Sequence, residues 1–131
     1  MKHYLAVVEK EPDSAFGIIF PDLPGCFSAS DTEDTIMQNA VEALQLCGED
    51  QEPPAPAPHE DVVSYPEVSE ILQRGGYLIS VPLIEKDTAV VRANVTFERG
   101  VLQAIDETAR QRGITRSAFL ASAARKEIER S

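Results

Sequence analysis

The chain has 131 residues, 26% of them charged and 6% aromatic, with a net charge of −10. That length holds one domain or two small ones. No apolar run reaches roughly 18 residues, so no membrane-spanning helix is predicted, and Met1-Lys2-His3 leads straight into a strand-like segment rather than a signal sequence.

The expected compartment is therefore the cytoplasm, where Cys26 and Cys47 should stay reduced as ordinary core or near-surface residues. His3 and His59 stand in no ligand-like spacing with them, so neither a metal nor a cofactor is expected. The charge is unevenly placed. Residues 1–89 hold four Lys or Arg against seventeen Asp or Glu, a net −13, whereas residues 90–131 hold eight against five, a net +3. Such a sign change divides the chain into an acidic part suited to a basic partner and a tail compatible with a polyanion.

Residues 4–9 are rich in β-formers and end at the turn signal Pro12-Asp13-Ser14. Residues 15–20 read as a second strand, completing a hairpin. Pro21-Asp22-Leu23-Pro24-Gly25 is the strongest turn in the chain, and residues 26–30 form a short third strand. A helix follows, capped by Asp31 or Thr32, with Glu33 and Asp34 in its first turn. Ile36, Met37, Ala40, Val41, Leu44 and Cys47 make its apolar stripe, read as core against the sheet, and Gly48 stops it. Residues 51–58 contain four prolines and predict a stiff extended loop. Residues 68–72 make a short helix ended by Gly75-Gly76. Residues 77–84 form the last strand, with Pro82 suggesting an edge or a bulge. Residues 85–89 are a polar hinge.

The tail opens on strict alternation. Ala93, Val95 and Phe97 share one face of a strand, and Arg92, Asn94 and Thr96 share the other. Two helices follow: Val101, Leu102, Ile105 and Ala109 line the first, which stops at Gly113. Thr115 caps the second, whose apolar side is Phe119, Leu120, Ala123, Ala124 and Ile128. A unit this small buries little surface and leaves a strand edge unpaired, so it requires a second copy.

Two resemblances converge on these residues. Arg92-Ala93-Asn94-Val95-Thr96-Phe97, Leu102-x-x-Ile105-Asp106 and Gly113-Ile114-Thr115-Arg116-Ser117-x-Phe119-Leu120 resemble the ribbon-helix-helix DNA-binding pattern. Phe20-Pro21-Asp22-Leu23-Pro24-Gly25-Cys26-Phe27, Asp31-Thr32 and Asn39-Ala40-x-Glu42-Ala43-Leu44 resemble the N-terminal domain of HicB antitoxins. The resemblance implies an α+β chain: a HicB-like, partial RNase H-like domain (β-β-β-α-β) over residues 1–84, a hinge at 85–89, and a ribbon-helix-helix (β-α-α) over 90–131. It further implies a type II toxin–antitoxin system. The acidic domain would neutralise a small basic HicA-type ribonuclease toxin, and the tail would repress the shared operon. Glu98, where proline is common in ribbon-helix-helix proteins, and Gly100 both weaken entry into the first tail helix.

On this reading Arg92, Asn94 and Thr96 from each strand of a homodimer contact base edges in the major groove. Thr115, Arg116 and Ser117 hold a backbone phosphate at a helix N-terminus. The assembly is a homodimer through the tail, with dimer and tetramer both open. The toxin-covering surface could be the sheet edge, the Pro-Asp-Leu-Pro-Gly turn or the proline-rich loop. An RNase H-like fold can carry metal-binding carboxylates, but Asp22, Glu33, Asp34 and Glu42 are scattered, and no base or nucleophile stands in a recognisable setting. No catalytic residue is expected. A second reading keeps the repressor and has the acidic part sense a small ligand or mediate oligomerisation, with no toxin partner.

Overall fold

The pattern of residues 3–10 decides the architecture. Tyr4, Ala6 and Val8 are buried with one set of neighbours, and Val7 with another. This strand, β1 (His3–Lys10), therefore needs cover on both faces. In the computed structural model, which describes residues 1–50 and 52–130, β1 is an inner strand of an antiparallel sheet ordered β3-β2-β1-β4. Its neighbours are β2 (Phe16–Ile19), β3 (Phe27–Ser30) and β4 (Tyr77–Pro82). The register sets Val8 opposite Ile18 and Tyr77, and Val7 opposite Ile19 and Leu78. Pro82 lies on an edge strand, where a missing N–H costs least. The β1–β2 loop turns at Asp13, whose φ of 60° is one that Asp tolerates better than most residues.

Helix α1 (Ile36–Asp50) covers one face. Its Ile36, Ala40, Val41 and Leu44 pack on Tyr4, Ala6, Val8, Ile18, Phe20 and Val81, the stripe that the spacing predicts. Two boundaries differ from expectation. Asp31 and Thr32 precede a 3₁₀ turn, Glu33–Thr35, and Thr32 makes no side-chain cap bond. Gly48 lies inside α1 rather than ending it, and a Cβ there would sit 3.5 Å from Leu83 Cδ1. That is ordinary contact distance, so the packing there does not require glycine.

The second face carries α2 (His59–Val62) and α3 (Pro66–Gln73). The observed order of the first unit is thus β-β-β-α-α-α-β, with an extra short helix beyond the sequence-based expectation. At four and eight residues these helices are too short to persist alone. Val62, Val68 and Ile71 hold them by burial against Val7, at about 1.5–3 kcal/mol per fully buried side chain. The predicted loop begins at Gln51, which lies outside the described residues; from Glu52 to Pro58 there is no regular element.

Cys26 and Cys47 are joined as a disulfide, which corrects the expectation that both stay reduced. Cys26 precedes β3 and Cys47 lies near the end of α1. Because α1 packs along β3, their Cα atoms come to 6.1 Å, within the span of a disulfide. Nothing in the 21-residue separation foretells this. By the chain-entropy argument a ring of that size is worth roughly 3 kcal/mol.

The chain divides into two compact units, Met1–Lys86 and Asp87–Ser131; Ser131 itself lies outside the described residues. The second unit pairs α4 (Arg99–Gln111) with α5 (Arg116–Arg130). Ile105 and Ala109 are its buried residues, and Phe119 and Leu120 are half-buried. Residues 83–98 contain no regular element, so the strand expected there is absent from the single chain. Ala93, Val95 and Phe97, expected on a buried face, are exposed. A strand exists through its ladder partner, and this unit has no other strand among the described residues. No described helix is long and apolar enough to cross a membrane.

Of the three predicted glycine stops, Gly48 fails and the other two hold by the same device. After α3 the Gly76 amide donates to the Ile71 carbonyl and the Gly75 amide to Leu72. After α4 the Ile114 amide donates to Ala109 and the Gly113 amide to Arg110. Gly75 (φ 97°) and Gly113 (φ 69°) supply the left-handed residue of this Schellman turn. Gly76 is tighter still: a Cβ would lie 2.5 Å from Ile71 Cγ2 and 2.8 Å from the Val8 carbonyl oxygen. Gly76→Ala is expected to destabilise the chain by about 1–3 kcal/mol, the range for forced overpacking, whereas Gly100→Ala, with open space around it, should be neutral or stabilising. Urea unfolding of the two variants checks this contrast.

Candidate functional site

Two regions bear on function, one in each unit. In the first, the turn at residues 21–25 closes the β2–β3 connection through three backbone bonds: Leu23 N–H to Phe20, Cys26 N–H to Leu23, and Phe20 N–H to Cys26. Its Asp22 is half-buried and works as a latch. Asp22 Oδ2 accepts the Ala57 amide at 3.0 Å, and Oδ1 accepts the Tyr65 hydroxyl at 3.3 Å. On the other side of the sheet the Tyr4 hydroxyl donates to the Pro54 carbonyl. The proline-rich segment is therefore a strap tied down at two points. It runs from the α1 layer to the α3 layer around the end of the sheet. Burial first, and the charge of Asp22 second, raise both phenols above the ordinary tyrosine range, so each remains a protonated donor.

Two of the three surfaces expected to meet a toxin, the turn and the proline-rich loop, are thus joined by one carboxylate. The third, the edge strand β3, leaves the same turn through Cys26 and begins with Phe27, which is 71% exposed. Asn39 of α1 donates to the Ala29 carbonyl of that edge at 2.9 Å. Beside the turn, between β2–β3 and α3, lies an open groove of about 640 Å³ with an apolar floor. Glu33, Asp34 and Glu42 are exposed. Among the described residues no group of three or more His, Cys, Asp or Glu comes together as a cation would require.

In the second unit, Arg92, Asn94 and Thr96 are exposed, and none is tied by a hydrogen bond or ion pair among the described residues. Thr115 is the N-cap of α5: its Oγ1 accepts the Ala118 amide at 3.1 Å. Arg116 reaches back to α4, its Nε and Nη2 donating to the two Asp106 oxygens at 2.8 Å each. This fork holds the interhelical turn. Hydrogen bonding from Arg116 draws the Asp106 carboxyl below the ordinary range; burial opposes it, and the charges of Arg116 and Arg110 add to it. Ser117 is exposed beside them. Of the six residues predicted to touch DNA, three share the unstructured approach and three share the start of α5.

Sequence reasoning quoted Asp22, Phe27, Asn39 and Asp106 within its motifs but missed the contacts or exposure that set them apart. For Asp106 a signal existed: it sits about two turns before the Gly113 stop, with an arginine at the opening of the next helix. For Asp22 the partners lie 35 and 43 residues away, beyond any local pattern. Asp22→Asn removes one of two acceptors from the latch. It is expected to cost about 1 kcal/mol and to lower the Tyr65 phenol toward its ordinary value. Ultraviolet titration of the tyrosines alongside denaturant unfolding measures both.

Comparison with known proteins places the chain. It matches the family of HicB-like antitoxins of bacterial toxin–antitoxin systems over residues 4–124. A 14.9 kDa protein of the rep–hol intergenic region of Haemophilus phage HP1 is 30% identical over 109 residues, 79% of each chain. The crystal structure of the Burkholderia pseudomallei antitoxin HicB is similar across 100% of this chain and 99% of its own, at a TM-score of 0.53 and 29% identity. A chain in the structure of a HicA3 and HicB3 toxin–antitoxin complex is similar over 63% of this chain and 98% of its own, at a TM-score of 0.52 and 28% identity. With a family match spanning both units and the sheet and helices of the HicB fold in place, the chain belongs to the HicB-like antitoxin family.

Proposed function

We propose that this antitoxin neutralises a HicA-type toxin through residues 1–84 and represses its own operon through a dimeric tail, residues 90–131, joined by the hinge at 85–89. The observation that carries the first half is the likeness to a chain of a HicA3–HicB3 complex, 98% of which this chain covers. Charge supports it: residues 1–89 carry a net −13, which steers a basic partner and raises its on-rate.

The second half rests on what the tail exposes. Val95 is 69% exposed, and Phe97, Val101 and Ile114 are also on the surface, more apolar area than a 45-residue unit of net positive charge leaves open without purpose. Pairing residues 91–97 with those of a second copy creates the missing ladder and buries Ala93, Val95 and Phe97 on the helices. The same pairing turns Arg92, Asn94 and Thr96 outward as a two-stranded ribbon. Arg92 then favours guanine and Asn94 adenine. At the start of α5 the amides, Ser117 and the Asp106-held Arg116 meet a phosphate; the ion pair preorders the guanidinium for that contact.

Arg92→Ala with Asn94→Ala should weaken operator binding by about 100-fold or more, given ~1–3 kcal/mol per specific base contact, while the mass in solution stays that of the wild-type assembly. A gel-shift titration at fixed salt with unchanged affinity removes the DNA assignment. For the toxin half, the product of the adjoining reading frame should co-purify with the chain and lose its RNA cleavage. Failure of that product to bind removes the antitoxin assignment for this pair.

A further inference from the structure

We propose that the groove between β2–β3 and α3 is where the toxin docks, with Phe27 as apolar anchor and Glu9 and Glu67 as the acidic rim; this rests on the antitoxin reading above. Helix α3 is eight residues long and packs over β1; its cluster covers Val7 and, in part, Leu5, Ile19 and Leu78, and leaves Phe27 and Ala29 of the same face exposed. Toward the less covered β3 edge the register aligns Gly17 with Glu9 and Ala29, and Ile19 with Phe27. Gly17 carries no side chain, and a Cβ there would lie 3.3 Å from Glu9 Cγ. The floor is therefore a depression, with the Glu9 side chain lying along it. Pro24 and Glu67 close its sides.

Three features select the occupant. The wall residue Phe27 is 71% exposed, an aromatic held on a sheet and fixed from behind by the Cys26–Cys47 bridge, the kind of rigid anchor that dominates interfaces. The rim is acidic within a unit already carrying a strong negative balance, so the matching surface is an apolar ridge flanked by Lys or Arg. Among the described residues Glu9 is ion-paired with Arg74 alone, at 3.6 Å, and the Arg74 side chain is 58% exposed. Such a pair is worth little and exchanges readily for a partner's cation. A second copy of this acidic chain would bring like charge to the same rim. Strand addition at β3 is also hindered, because Asn39 already occupies the Ala29 carbonyl.

The test uses the full chain and, as probe, the purified product of the adjoining reading frame, with affinity read by calorimetry. Phe27→Asp should weaken binding at least 100-fold. Glu9→Lys with Glu67→Lys should weaken it at least 10-fold and slow association at low salt. Tyr77→Asp, on the opposite face and the other edge of the sheet, should bind as wild type does. Circular dichroism and melting verify that each variant folds; if Phe27→Asp does not fold, Phe27→Ala replaces it, with an expected loss of at least 10-fold. Wild-type binding with unchanged affinity in the Phe27 and Glu9/Glu67 variants overturns the groove and leaves the antitoxin reading intact. An equal loss in Tyr77→Asp overturns it as well. No binding by the wild type overturns both.

Discussion

Strand β1 is buried on both faces, and the first unit is arranged around satisfying it. Tyr4, Ala6 and Val8 require α1, whose apolar stripe fits them; Val7 and Leu5 require a second layer, which so short a chain can supply only as two small helices. Carrying the chain from one layer to the other is the task of the proline-rich strap. Proline restricts the unfolded strap and keeps it out of helix and ladder, and Tyr4 and Asp22 fix it where it crosses. The motif residues of the turn thus serve topology before they serve any partner.

That division shows what a sequence can reveal. Helix α1, the two tail helices and the three strands around the first hairpin were legible because their signals are local: a period of apolar residues, a turn, a glycine stop. The second layer was only half legible. Residues 68–72 read as a helix, but His59–Val62 is a single turn held by Val62 alone, with no period to detect. Of the candidate site, the residues at the start of α5 could be placed from Thr115 and Gly113, whereas the Arg116–Asp106 fork depends on how two helices cross. Asp22, Asn39 and the cysteine pair depend on distant elements meeting, which neither composition nor spacing encodes.

The two units differ in how complete they are. The acidic one closes its own core, and its buried side-chain polar atoms, among the described residues, all find partners. The basic one buries little beyond Ile105 and Ala109 and leaves a run of apolar residues from Val90 to Phe97 in the open. The two units thus differ in how much apolar surface they leave to solvent.

The disulfide has a topological meaning beyond its stability. It closes a ring containing β3, the 3₁₀ turn and most of α1. An edge strand of four residues is the natural element to exchange between neighbouring molecules. Here it cannot leave alone: while the ring is closed, β3 can leave only with α1, and removing α1 uncovers one whole face of the sheet. The bridge thus bars β3 from swapping out by itself and leaves the acidic unit to close its own sheet.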